Sequence, residues 1–168
     1  ADLLFSSGLR RTEAASLLTI ELPRLQGQPQ RYFDARLAAA VAKGYKSRTF
    51  YVSSAALRAV EAYRVTSRRA VIRGAQAAKR YENLGPVKVV TGQTGRLREV
   101  MHWRDQDGVV GQAALNDLSP DERQMLFVDG PNGLEPLWLW LSADGTPFSP
   151  HSWEAVFRAG SQRCQDVL

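Results

Sequence analysis

The chain is poor in the residues that usually announce a metal or redox centre: one cysteine, Cys164, and two histidines in 168 residues. A lone cysteine cannot close an internal disulfide and offers no ligand spacing, so the expectation is a reducing, cytoplasmic compartment and a site with no metal or cofactor. No apolar run approaches the roughly 20 residues of a membrane span, and no signal peptide precedes the first helix, so no membrane partner is expected. The glycines of Thr91-Gly92-Gln93-Thr94-Gly95 lack the Gly-Lys-Ser/Thr ending of a phosphate-binding loop. No nucleotide site is assigned there.

What is present is an ordinary domain's worth of core. Apolar residues make up 44 % of the chain and charged residues 23 %, as in globular proteins. The formal net charge is +5, with a pI near 9.7, which favours a polyanion such as nucleic acid as the partner. The first residues read as the second half of a helix, and the last apolar stripe runs to Leu168 without a stop signal. Both ends are expected to be cuts in a longer chain.

Taken in order, Thr19–Leu22 alternates before Pro23 and predicts a short edge strand. The composition of 25–30 predicts a turn. Residues 31–42 mix helix-favouring alanines with strand-favouring Tyr32 and Phe33, and the second half of the run is read as strand. It pairs with Arg48–Val52 across the basic tip Lys43-Gly44-Tyr45-Lys46. Ser53 and Ser54 cap a long helix whose apolar side carries Leu57, Val60, Tyr63, Val71, Ala75 and Ala78. Arg58, Arg64, Arg68, Arg69, Arg73, Lys79 and Arg80 form its solvated face or, alternatively, a phosphate-tracking one.

Further on, Val87–Val90 and 98–103 predict a hairpin, and Ser119-Pro120-Asp121-Glu122 is a capping box with proline at the first helical position. Residues 129–133 are read as a loop, Leu137–Leu141 as a buried strand or helix turn, and Asp144–Pro147 as a turn. Ser149-Pro150 opens a final helix with an apolar face through Trp153, Val156, Phe157, Gly160 and Cys164. Cys164 on that stripe is expected to be a buried structural thiol. His102 and His151 are expected to be structural or exposed.

The stretch with chemical content is Ser6-Ser7-Gly8-Leu9-Arg10-Arg11-Thr12-Glu13. Gly8 breaks the opening helix, and Arg10 then stands where a new one begins, with Glu13 three residues on along the same face. Free N–H groups and an arginine fork at such a place suit a phosphate. The same spacing also describes a helix start with a surface ion pair, and spacing alone leaves both readings open.

The wording of this stretch resembles the first box of the tyrosine recombinases, the phage integrase family, T-G-L-R-x-S-E-L-x-x-L, with Gly8, Leu9, Arg10, Glu13 and Leu17 in register. About thirty residues later Ala42-Lys43-Gly44-Tyr45-Lys46-Ser47-Arg48 is similar to the family's hairpin, G-K-G-x-K-x-R, whose first lysine is catalytic. Ala42 replaces the leading glycine, and Phe50-Tyr51-Val52 replaces the usual V-P-L. Gly145-Thr146-Pro147-Phe148-Ser149 falls where the family has a turn ahead of its next box.

The resemblance implies attack of a tyrosine on a DNA phosphodiester, without metal or ATP, through a 3′-phosphotyrosyl intermediate. Arg10 would hold the non-bridging oxygens, Lys43 would protonate the leaving 5′-oxygen, and Glu13 would support the framework. Arg11, Lys46 and Arg48 would contact DNA. The partner implied is double-stranded DNA, bound by a homo-tetramer of the full-length protein. Two family features have no counterpart: there is no H-x-x-R, and no tyrosine follows Tyr81. These residues alone are therefore expected to be unable to cleave DNA.

The expected fold is α+β, mainly α-helical with small antiparallel hairpins, a truncated integrase-like catalytic domain over residues 1–168. A DNA-binding module without catalysis, and a helical adaptor whose arginines meet acidic partners, stand as alternatives.

Overall fold

The computed structural model describes residues 2–25, 27, 30–82, 84–95 and 99–165, apart from the side chains of Pro150, His151 and Cys164. Helix α1 (Asp2–Ser7) ends where the sequence places its break, at Gly8, whose φ of +64° is open to glycine at little cost. Helix α2 (Arg11–Ala15) follows at once. Strands β1 (Tyr32–Leu37) and β2 (Arg48–Ser53) form an antiparallel pair with Leu37 opposite Arg48. Their period-two pattern buries Phe33, Ala35, Leu37, Phe50 and Val52 and leaves Tyr32 and Tyr51 outside. The buried face packs with α1, α2 and α3 (Ser54–Tyr63) in one apolar cluster that includes Leu3, Leu17 and Leu57.

The strand lies in the first half of the 31–42 run, not the second. Alternation of apolar and outward side chains wins at 32–37, and the alanines that follow close a 3-10 turn (Ala39–Val41) leading into the Lys43 loop. Residues 19–22 also depart from expectation, forming a bend in place of a strand. The Glu21 carboxylate turns back to accept the Leu18 amide at 2.8 Å, and the Glu21 amide bonds the Leu18 carbonyl at 3.1 Å.

Ser53 caps α3 as expected, its Oγ accepting the Ala56 amide at 3.1 Å. After α3 the helix widens into a π turn (Arg64–Arg68) before α4 (Arg69–Ala77). That extra residue per turn shifts the apolar stripe, so Ile72 and Ala75 are buried while Ala78 is exposed. It also carries Arg68 inside. A uniformly solvated arginine face is therefore overturned at Arg68, which is 7 % exposed, and at the half-buried Arg64.

The second sheet has five strands in the order β5-β4-β3-β6-β7, built from β3 (Lys88–Thr94), β4 (Val100–Arg104), β5 (Val110–Ala114), β6 (Leu126–Gly130) and β7 (Gly133–Pro136). Neighbours are antiparallel except β3 and β6, which run parallel after the connection through α5 (Pro120–Gln124). Alternate residues serve opposite faces: Val89 and Phe127 pack on Ile72 and Ala75, while Met101 and Leu126 meet Leu118, Leu18 and Trp138. Each such fully buried side chain contributes about 1.5–3 kcal/mol.

Residues 129–133, read as a loop, supply strand ends and a tight reversal between β6 and β7. The Ser119 capping box forms as expected, with Glu122 accepting the Ser119 amide at 2.9 Å. With 40 % of residues helical and 27 % in strands, the fold is α+β. Its sheet content is larger and more mixed than small hairpins.

The run 137–141, fully buried through Leu139, is irregular, neither strand nor helix, and joins the two halves of the structure. Thr19 donates to the Leu137 carbonyl and Leu139 to the Leu17 carbonyl, while Leu137 also donates to Leu126 on the sheet. Trp140 Nε1 reaches the Ala14 carbonyl at 2.8 Å. Helix α6 (Pro150–Gln165) follows the turn at 144–147, with the Ser152 amide bonded to Ser149 Oγ at 3.2 Å. Trp153 on its first turns meets Trp140 edge-on, but Val156 and Phe157 remain exposed. The expected burial of Cys164 lies outside the described side chains.

Candidate active site

Five donors converge on one carboxylate. Glu13 is completely buried, in the first turn of α2. Its Oε2 accepts the Arg10 amide at 2.8 Å, satisfying one of the free N–H groups at the helix start, and Arg48 Nη2 at 2.7 Å. Its Oε1 accepts Arg48 Nη1 at 3.0 Å, the Lys43 amide at 3.2 Å and Arg10 Nη1 at 3.3 Å. The two motifs, about thirty residues apart in sequence, thus share one buried anion.

Burial alone would push the Glu13 carboxyl up. The Arg48 fork, the Arg10 and Lys43 amides and the Arg48 charge outweigh that effect and hold it at about 2. Glu13 is ionised at any physiological pH. Its hydrogen bond in turn raises the Arg48 guanidinium.

The cations around it differ in what they have left to offer. The Arg10 side chain is 55 % exposed and gives Glu13 one bond at 3.3 Å, so most of its fork faces outward. Lys43 is exposed, and its ammonium has no hydrogen bond or ion pair among the described residues. The loop that presents it turns through left-handed conformations at Gly44 (φ 83°) and Tyr45 (φ 55°). Lys46 is likewise exposed without a partner among the described residues.

Two of the residues assigned to DNA contact are already engaged. Arg48 directs both terminal nitrogens onto Glu13, which makes it a clamp between β2 and α2. Arg11 pairs with Glu154 of α6 at 3.3 Å. The pairing of Arg48 with Glu13 has no signal in the sequence beyond the basic position that ends the K-x-x-K-x-R spacing, because its acceptor lies in the other motif. His102 bonds Thr94 through Nε2 at 2.8 Å, away from this cluster. No group of three or more potential metal ligands occurs among the described residues, and no helix there is long and apolar enough to cross a membrane.

Chemically, the arrangement is a fixed anion that holds the Arg10 guanidinium by one bond and the backbone of the Lys43 loop by another, with the Lys43 ammonium exposed. Such a pair suits a tetrahedral or pentavalent oxyanion, the fork for two oxygens and the ammonium as charge or proton donor. No protein-family model, curated protein or solved structure matches the chain.

Proposed function

We propose that this chain supplies the transition-state arginine and the general-acid lysine of a tyrosine recombinase acting on double-stranded DNA. The observation that carries this reading is the shared Glu13 carboxylate, which ties the Arg10 turn and the Lys43 loop within 3.3 Å of the same oxygen. Arg10 would bind the non-bridging oxygens of the scissile phosphate and stabilise the charge that builds on them, a contribution of about 3 kcal/mol by comparison with single oxyanion donors. As a tyrosine oxygen bonds to phosphorus, the bond to the 5′-oxygen breaks, and Lys43 gives that oxygen its proton. General acids of this kind contribute roughly 10²–10⁴-fold. Glu13 and Arg48 are positioning residues in this scheme, tying the Arg10 turn to the backbone of the Lys43 loop.

The nucleophilic tyrosine and the second arginine belong, on this reading, to a segment beyond these residues, and the active protein is a tetramer on paired DNA sites in the cytoplasm. The test is a nicked duplex that traps the covalent intermediate, incubated with the full-length protein. Wild type should accumulate a protein–DNA adduct, and Arg10→Ala should lose it while keeping most of its duplex binding. An undiminished adduct with Arg10→Ala removes Arg10 from the chemistry. Salt-sensitive DNA binding with no adduct from wild type would favour the non-catalytic binding module instead.

A further inference from the structure

A concavity lies between the segment after α2, the π turn with α4, and strands β6 and β7. It shares no residue with the Glu13 cluster. Two adjoining hollows of about 690 and 340 Å³ have Arg24, Arg64, Arg68 and Glu135 in common. The smaller also takes in Arg69, Arg73 and Glu61.

The charges in this groove are out of balance. Arg68 is held from behind by carbonyls: Nε bonds Leu139 at 3.1 Å, and Nη2 bonds Trp138 at 3.1 Å and also Pro136. Its Nη1 has no partner among the described residues. The Arg64 side chain is 15 % exposed, and its one ion pair among those residues is a long one, 3.6 Å to Glu61. Burial, and then the charge of Arg24, lower the Arg64 pKa against the pull of Glu61. Arg24, Arg69 and Arg73 are exposed and make no hydrogen bond or ion pair among the described residues. Five guanidiniums therefore face two carboxylates, and one of these, Glu61, is half spent on Arg64.

On an open helix face this imbalance would cost little, because water would solvate each arm. Here Arg64 and Arg68 have lost much of that water, and a partly buried charge without a close counter-charge is unfavourable. An anion entering the groove restores the balance. The shape specifies which kind. Arg64, Arg69 and Arg73 climb the same helix about 6–8 Å apart by its rise, forming a row that suits several linked oxyanions better than a single carboxylate. The row begins in the π turn, a departure from α-helical geometry that is frequent at functional sites.

We propose that this groove is a second phosphate-binding site, which takes linked phosphate groups along the Arg64–Arg73 row. It is independent of the cleavage reading, since the two sites have no side chain in common. Linked phosphates reach such a groove as a nucleic-acid backbone or as a free polyphosphate, and the two sources separate experimentally.

The experiment uses the 168-residue chain, its Arg73→Gln variant and the Arg64→Gln/Arg73→Gln double variant. Each is titrated calorimetrically with inorganic tripolyphosphate, and by anisotropy with a labelled duplex over a range of salt. The double variant should lose at least tenfold in tripolyphosphate affinity, or lower the salt slope for duplex binding by about two phosphate contacts. The first result alone identifies a free polyphosphate as the source, and a reduced slope identifies the DNA backbone. Wild-type values for both probes in the double variant would overturn the proposal. Circular dichroism checks folding, and exposed Arg73 gives a single variant that leaves the core untouched should Arg64→Gln disturb it. Undiminished adduct formation by Arg10→Ala, with tripolyphosphate binding still lost in the double variant, would overturn the first reading and leave this one standing.

Discussion

Glu13 of α2 and Arg48 of β2, thirty-five positions apart, are joined by two hydrogen bonds of 3.0 and 2.7 Å between a buried carboxylate and a guanidinium fork. Paired bonds of this kind fix direction as well as distance. Glu13→Gln removes the charge and leaves several donors poorly matched, and should cost about 2–4 kcal/mol of stability. Arg48→Lys keeps a charge but loses the fork, and should cost less, about 1–2 kcal/mol. Urea denaturation of the three proteins gives these values. Equal midpoints would mean the cluster is incidental to the fold.

The same carboxylate predicts a pH dependence. Its value in the folded chain, about 2, lies below the ordinary 4.5. A depressed carboxylate stabilises above its unfolded value, and the contribution disappears as pH falls towards its folded value. Asp144, also held at about 2 by Ser142 and Thr146, and the lowered Glu122 contribute acid sensitivity of their own. They are common to wild type and Glu13→Gln, so the difference between the two proteins isolates Glu13. Urea midpoints measured from pH 6 to pH 2 should show that difference constant above about pH 5 and closing below it. A gap that stays constant to pH 2 would contradict the assignment.

Arg123 and Glu21 form the most deeply buried ion pair among the described residues, 2.7 Å apart with side chains 0 % and 2 % exposed. Arg123 also donates to the carbonyls of Leu118, Ser16 and Leu115 and so ties α5 to the segment after α2. Arg123→Met strands the Glu21 charge and should cost about 3–5 kcal/mol. For a chain of this size that lowers the melting temperature by roughly 10 °C. Adding Glu21→Leu should recover part of the loss, because the stranded charge goes with it. Calorimetry of both variants decides the point, and a double variant less stable than the single would contradict it.

Gly145 is required twice over. Its φ is +85°, and a Cβ there would lie 2.6 Å from the Ala75 Cβ and 2.8 Å from the Tyr81 hydroxyl. That hydroxyl donates to the Gly145 carbonyl at 2.9 Å. Gly145→Ala should therefore cost about 2–4 kcal/mol, while Gly8→Ala, where nothing lies within 4 Å, should cost only about 1 kcal/mol for its backbone. Chemical denaturation of the two variants compares them directly.

Local signals were legible in the sequence wherever a short-range rule governed. Gly8, the Ser53 cap, the Ser119 capping box and the Ser149-Pro150 helix start each depend on neighbours within about four residues. Legibility failed where a distant partner decides. The bend at 19–22 is set by Glu21 meeting Arg123 about a hundred residues away, and Leu137–Leu141 is shaped by bonds to residues 17–19. The π turn has no sequence signature, so the inward swing of Arg68 was hidden. For the site, Arg10, Glu13 and Lys43 could be picked out as candidates from two motifs. The use of Arg48 as a clamp could not, because its acceptor belongs to the other motif.

The most direct measurement compares leaving groups. A DNA substrate with sulfur in place of the bridging 5′-oxygen departs as a thiolate and needs no proton. With the full-length protein, Lys43→Ala should cleave ordinary DNA at least a hundredfold more slowly than wild type yet cleave the sulfur substrate at a near wild-type rate. Arg10→Ala should be impaired on both. Equal defects of Lys43→Ala on the two substrates, or no defect on either, would contradict a proton-donating lysine beside the Arg10 phosphate site.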